Sequence, residues 1–174
     1  SIMKLIYNNR NKILIFLTII SIISFINSVN KGFLNGCDFQ WQPALLFWEG
    51  INHYSRFMDN GKYEFLCQGG EYAQLLNIIY YPYTLVEWEV ARVLWVFTNI
   101  FFTFAIPLLI CKKFQIPKYK TVILILIFMT CSPTRMTINY GQQSLLVLFF
   151  LCLPFISKSN FSYFFSGLSF VKYS

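Results

Sequence analysis

Two short polar stretches carry the residues best suited to chemistry. The first, residues 35–40, holds Asp38 among glycine, aromatic and apolar neighbours. Partial desolvation at a membrane boundary makes a carboxylate a stronger base, so Asp38 is a candidate general base for an attacking hydroxyl group. A structural role, in which Asp38 caps a helix that starts near Gln42, stays open.

The second stretch, residues 132–143, combines a guanidinium with side-chain amides and a flexible glycine. Arg135 suits bidentate recognition of a phosphate, and the amides of Asn139 and Gln142 suit ligand hydroxyl groups. We expect these three residues to bind substrate. The alternative, in which Arg135 only marks a helix end at the lipid headgroups, also stays open.

Two further candidates are Lys172 and Tyr81. A lysine in an otherwise apolar helix is costly and usually functional, although Lys172 could also sit at the far interface. Tyr81 belongs to the aromatic run 80–83, which we interpret as a helix break at the membrane interface. Its ring could stack on a ligand ring or anchor the chain at the headgroups.

The composition requires a membrane to position these residues. Of the 174 residues, 56% are apolar, 20% are aromatic and only 12% are charged, whereas soluble domains carry about 25% charged residues. A soluble fold of this size would lack the polar residues needed to cover its surface. The net charge of +7 does not indicate nucleic-acid binding, because the bases cluster before the first apolar run and after the second, as expected of short cytoplasmic loops.

The apolar runs predict an all-α, polytopic transmembrane protein with about five helices. Spans are expected over residues 12–30, 91–111, 121–131 (completed by 132–135) and 144–156, with a fifth starting near 161. Residues 31–89 would form a large outer loop, in which the apolar runs 43–48 and 75–83 are too short to span and suit interfacial helices. The whole chain, 1–174, is interpreted as a single transmembrane domain that continues beyond Ser174.

The charges predict the orientation. All seven acids lie between residues 38 and 89, whereas lysines and arginines cluster before the first apolar run and after the second. Short basic loops stay in the cytoplasm, so the N-terminus is expected inside and residues 31–89 outside. The loop 134–143 would then be outside as well, on the same face as Asp38.

These motifs resemble glycosyltransferase family 87, which comprises membrane enzymes of the GT-C class. The resemblance rests on short motifs at residues 36–39, 44–54, 80–83, 94–99, 139–142 and 167–172. It implies transfer of a mannose-like hexose from a polyprenyl-phosphate donor to a lipid or glycan acceptor, on the extracytoplasmic face of the plasma membrane. Asp38 would be the catalytic base, with Gln142 and Lys172 facing the donor. His53 departs from the pattern, because proline usually precedes the tyrosine at this point.

Other readings remain open at this stage. A transporter or flippase fragment would show inverted repeats and ionisable residues near mid-membrane, and an inactive, truncated membrane protein would only insert. No cofactor is expected, and no cysteine–histidine spacing predicts a zinc site. Cys37 and Cys67 share the outer loop and could pair if the compartment is oxidising.

Overall fold

A computed structural model describes residues 9–52, 74–157 and 159–169. These residues are 83% helical and contain no strand, which confirms the all-α prediction. Within the described ranges there are eight helices: α1 (Arg10–Asn35), α2 (Trp41–Trp48), α3 (Gln74–Thr84), α4 (Trp88–Lys113), α5 (Lys118–Thr130), α6 (Ser132–Tyr140), α7 (Ser144–Ile156) and α8 (Asn160–Leu168). His53, Cys67 and Lys172 lie outside the described residues, so the expectations about them stay predictions.

Two of these helices are long and apolar enough to cross a bilayer. Helices α1 and α4 have 26 residues each, or roughly 39 Å at 1.5 Å per residue, against a hydrocarbon core of about 30 Å. In the most apolar window of α1 only 17% of the residues are buried. The remaining isoleucine and phenylalanine side chains need lipid around them, so the chain is a membrane protein.

The third predicted span is broken in the middle. Helix α5 ends at Thr130, Cys131 is extended, and α6 starts at Ser132 with a bend of 51° between the two axes. Counted as one span, the pair raises the number of candidate spans in the described residues to three. Helix α7 has 13 residues and is short for a crossing, so the expected total of five spans remains a prediction.

The loop expected over residues 134–143 is wrong as far as Tyr140. Those residues form α6, and only Gly141–Gln143 make a turn. The physical reason is Pro133, which occupies the first turn of α6 where its missing N–H is not needed. The polar composition of this segment favoured the prediction of a loop, whereas the structure shows a helix that packs against its neighbours.

The long helices run antiparallel and approach closely. Phe25 contacts Phe104 and Phe33 contacts Phe97, with ring centroids 5.7 and 5.8 Å apart. Helices α5 and α6 run alongside α1 in the same direction, and α7 returns beside α4, where Phe149 contacts Phe102. This up-and-down order agrees with the alternation predicted from the sequence, while the side of the membrane stays a prediction.

The helix directions place different residues at the two ends of the bundle. The Asp38 end contains the end of α1, the start of α4, the end of α6 and the start of α7. The lysine end contains the start of α1, the end of α4 and the start of α5, with Lys12, Lys112, Lys113, Lys118 and Lys120. The two ends are therefore chemically distinct surfaces.

Helices α2 and α3 form a small aromatic cap on the Asp38 end. The indole N–H of Trp41 donates to the carbonyl of Tyr83 at 2.9 Å, and that of Trp48 donates to the carbonyl of Asn77 at 3.0 Å. Both short apolar runs are thus helical, as predicted. The helix break expected over residues 80–83 is wrong, because Pro82 lies inside α3, which continues to Thr84 in contact with α2.

Candidate functional site

The segment that carries Asp38 is fastened to the end of α6. Residues 36–40 connect α1 to α2, and the backbone N–H of Asp38 donates to the carbonyl oxygen of Tyr140 at 2.7 Å. The Asp38 side chain is half-buried. The structure therefore places the predicted base directly beside the turn that follows α6, although the two are about a hundred residues apart in the chain.

Gly141 lies against the Asp38 segment in a backbone conformation that favours glycine. Its φ of +74° is left-handed, a conformation that other residues adopt at a cost. A Cβ atom here would lie 3.4 Å from the carbonyl carbon of Gly36 and 3.4 Å from the Cβ of Phe39. The backbone of the Asp38 segment thus rests directly on the face of Gly141.

Trp95 of α4 holds the same turn from the other side. Its indole N–H donates to the carbonyl oxygen of Gly141 at 2.7 Å. Its ring stacks on Phe39, with centroids 4.9 Å apart and planes within 6°. Both side chains are buried, so α4, the turn and the Asp38 segment pack tightly together. We call the group of Asp38, Tyr140, Gly141 and Trp95 the joint.

Tyr80 and Tyr83 close the aromatic cluster from α3. Their rings meet Phe39 edge-on at 4.9 and 5.3 Å, and the Tyr83 hydroxyl hydrogen-bonds to Thr98 at 2.7 Å. Burial raises the pKa of Tyr83, and the hydrogen bond to Thr98 lowers it in part. Tyr81 points elsewhere: it is 43% exposed and lies against Trp48, with centroids 4.5 Å apart.

Helix α2 begins three residues after Asp38. That helix starts at Trp41, and its N-terminal flanking residue is Gln40, which makes no side-chain capping bond. The N-cap position of α2 is therefore occupied by Gln40 and not by Asp38.

Arg135 lies on α6 but away from the Asp38 contact at Tyr140. It precedes Tyr140 by five residues, which is roughly 7.5 Å along the helix axis. Its side chain is half-buried, and its Nε has no hydrogen-bond partner among the described residues. Arg135 thus offers an unused guanidinium donor below the Asp38 segment.

Asn139 and Gln142 have different surroundings. With its amide nitrogen facing the nearby carbonyls, Asn139 donates to the backbone oxygens of Arg135 at 3.2 Å and of Ser28 at 3.1 Å, which ties α6 to α1. Gln142 is half-buried and closes α6 through its backbone N–H, which donates to Thr137 at 2.9 Å.

Three polar residues at this end of the bundle were not named as site residues from the sequence, although Gln143 belongs to the second polar stretch. On α4, Arg92 donates from Nη1 to the carbonyl of Leu34 at 3.3 Å, and its guanidinium lies 5.7 Å from the ring centre of Trp88. One turn after Trp95, Asn99 is fully buried and its Oδ1 has no partner in the described part of the chain. Both amide atoms of the fully buried Gln143 are unpartnered there too.

A sequence signal existed for these residues. Arg92 and Asn99 fall within the predicted second span, where polar side chains are costly and usually functional. Gln143 follows the glycine turn. Trp95 carried no such signal, because a tryptophan in an apolar helix has many roles and its partner at Gly141 is distant in sequence.

The sequence is similar to one family of known proteins. The model of glycosyltransferase family 87 matches residues 75–171, more than half of the chain. No curated protein and no solved structure matched it. The matched residues include Tyr81, Arg135, Asn139 and Gln142, whereas Asp38 precedes them. The chain, with its membrane-spanning helices, belongs to glycosyltransferase family 87.

Proposed function

We propose that this glycosyltransferase moves a mannose-like hexose from a polyprenyl-phosphate donor to a lipid or glycan acceptor. The reaction takes place on the extracytoplasmic face of the plasma membrane, in a multi-pass protein whose N-terminus is cytoplasmic. The observation that supports a site at this end of the bundle is the joint of Asp38, Tyr140, Gly141 and Trp95. It holds one carboxylate beside a turn that carries the amides of Gln142 and Gln143.

Asp38 acts as the general base in this proposal. It accepts the proton of the acceptor hydroxyl as that oxygen attacks the anomeric carbon of the donor sugar. The new C–O bond forms while the bond from the anomeric carbon to the phosphate oxygen breaks. The electron pair and the resulting negative charge leave with the polyprenyl phosphate. Because the donor carries its own leaving group, no nucleotide site and no cofactor is required.

Cationic residues offset the charge on the leaving phosphate. Arg135 is the proposed donor within α6, since its Nε is buried without a partner in the described residues. Lys172 is the second proposed cation. Arg92 lies at the same end of the bundle on α4 and adds a third positive charge there.

The remaining residues bind the sugar and the donor. Gln142 presents its amide at the turn next to Asp38, and Tyr81 supplies an aromatic face on the cap that α2 and α3 form. Asn139 contributes through position, because its amide ties α6 to α1. Substitution of Asn139 is therefore expected to displace Arg135 as well as to remove an amide.

The test replaces Asp38 by asparagine in the intact, membrane-embedded protein. Asparagine keeps the size and the backbone N–H but cannot accept the proton. Transfer of mannose from a polyprenyl-phosphate donor should fall by roughly 10²- to 10⁴-fold, the usual contribution of a general base. Radiolabelled donor and lipid extraction measure the transfer.

Glu49→Gln is the matched control. Glu49 is an exposed acid at the end of α2 on the same side of the bundle, and its loss should leave the rate unchanged. Wild-type activity of Asp38→Asn would refute the assignment of the base. Movement of the intact donor lipid across the bilayer, without any transfer to an acceptor, would instead favour a flippase.

A further inference from the structure

The turn between α4 and α5 is a basic surface at the lysine end of the bundle. Lys112 and Lys113 end α4, and Lys118 and Lys120 begin α5, so nine residues carry four lysines. All four side chains are exposed. We call residues 112–120 the lysine turn.

The backbone of the lysine turn is closed by its own hydrogen bonds. The N–H of Phe114 donates to the carbonyl of Ile110 at 3.0 Å, and that of Ile116 donates to Cys111 at 2.9 Å. Gln115 adopts a left-handed φ of +51° between them, as in a Schellman motif. The carbonyls at the end of α4 therefore do not need the lysine side chains as capping donors.

Two aromatic side chains project between the lysines. Phe114 is 68% exposed and Tyr119 is 57% exposed, and the Lys120 ammonium lies 5.9 Å from the centre of the Tyr119 ring. Cations mixed with aromatic rings at the end of an apolar helix are typical of the headgroup region of a bilayer. The composition thus suits contact with phospholipid.

The charge of the lysine turn is not balanced by nearby sequence. Residues 90–174 contain no aspartate or glutamate, and the described acids lie toward the opposite end of the bundle. Two lysines also occupy the first turn of α5, where the helix dipole disfavours positive charge. A negative partner from outside the chain would relieve both costs.

We propose that the lysine turn binds the headgroup of an anionic phospholipid. The candidate span α4 ends at Lys113, which sets the turn at the surface of the bilayer, where phosphodiester headgroups are the nearest anions. Basic clusters beside a span attract such lipids by about 1 kcal/mol per lysine. This binding is independent of sugar transfer, because it lies at the end of the bundle away from Asp38.

The experiment titrates the intact protein in neutral detergent with phosphatidylglycerol and with phosphatidylcholine, and counts bound lipids by native mass spectrometry. The wild type should bind phosphatidylglycerol several hundredfold more tightly than phosphatidylcholine, at about fivefold for each of the four lysines. Lys118→Gln with Lys120→Gln should weaken phosphatidylglycerol binding about 25-fold, at about fivefold per lysine. Lys118→Arg with Lys120→Arg keeps the charge and should bind as the wild type does.

Lys31→Gln is the matched control for the single change Lys118→Gln, since it removes one charge from an exposed position of α1 at the Asp38 end of the bundle. Unchanged phosphatidylglycerol binding in the Lys118/Lys120 glutamine variant would overturn the proposal, and so would an equal loss in Lys31→Gln and in Lys118→Gln, which would mean a net-charge effect. Glycerol phosphate added in millimolar excess should not displace the lipid. Displacement would identify a site for a free phosphate compound and would overturn the lipid assignment.

Discussion

Replacing Trp95 by phenylalanine tests the joint that holds the Asp38 segment. The substitution removes the indole N–H, whose bond to the Gly141 carbonyl measures 2.7 Å, but it keeps an aromatic ring to stack on Phe39. The Gly141 carbonyl would then be left in a buried position without this donor. The variant therefore removes one defined contact between α4 and the turn.

The expected cost follows from burial. A buried polar group left unsatisfied costs about 1–3 kcal/mol, and the space left by the smaller ring adds about 1 kcal/mol. Trp95 is only 1% exposed, so water cannot readily replace the lost donor. The free energy of unfolding should fall by roughly 2–4 kcal/mol.

Trp48→Phe provides the comparison. Trp48 also donates its indole N–H to a backbone carbonyl, that of Asn77 at 3.0 Å, but its side chain is 45% exposed. Water can reach that side of the cap, so this variant should lose less than about 1 kcal/mol. Reversible unfolding of both variants in the same detergent, followed by circular dichroism and by transfer activity, measures the difference.

The Trp95 variant should also lose more transfer activity than the Trp48 variant, because the Asp38 segment would be held less firmly. Equal stability losses in the two variants would refute the argument that the buried bond is the main term. A destabilised Trp95 variant with undiminished activity would refute the link between the joint and the chemistry.

The remaining predictions concern the turn and the cap. Gly141→Ala should lower the free energy of unfolding by about 1–2 kcal/mol, because its backbone is left-handed, and should also lower transfer activity. Gly50→Ala, at φ +73° with nothing near its Cβ, should cost a similar free energy in thermal unfolding and leave activity intact. Loss of activity in both variants would contradict the special role of Gly141. Burial raises the pKa of Tyr83 above its ordinary 10.0, so the folded state keeps this proton longer than the unfolded chain. That contribution to stability is present below pH 10 and lost as pH rises through the folded pKa. The free energy of unfolding, measured from pH 8 to 11, should therefore fall less in Tyr83→Phe than in the wild type. An identical pH dependence of the two proteins would contradict this effect of Tyr83.

Much of the fold follows from local sequence. Hydropathy alone indicated α1 and α4 within a few residues, and the basic loops indicated the alternating direction of the helices. Two errors lie near prolines: the run 80–83 was expected to break a helix, and residues 134–140 were expected to form a loop. Pro133 instead starts α6, and Pro82 lies near the end of α3, where packing against α2 outweighs its local cost.

The site was less accessible to sequence reasoning, because its contacts join distant residues. Alternating spans were enough to predict Asp38 and the turn at one end of the bundle. They could not reveal that Trp95 donates to Gly141, which depends on the rotation of α4 about its own axis. Nor could they reveal that Asn139 faces Ser28, so that a residue expected to bind substrate also links two helices.

Two backbone contacts hold the Asp38 segment in a way that does not involve the Asp38 carboxylate. The contact to α6 is formed by the backbone N–H of Asp38 and the backbone oxygen of Tyr140, so a change of side chain leaves it available. The second contact, from Trp95, also ends on a backbone oxygen, that of Gly141. Asparagine at position 38 keeps both backbone contacts, so a loss of transfer would not come from their removal.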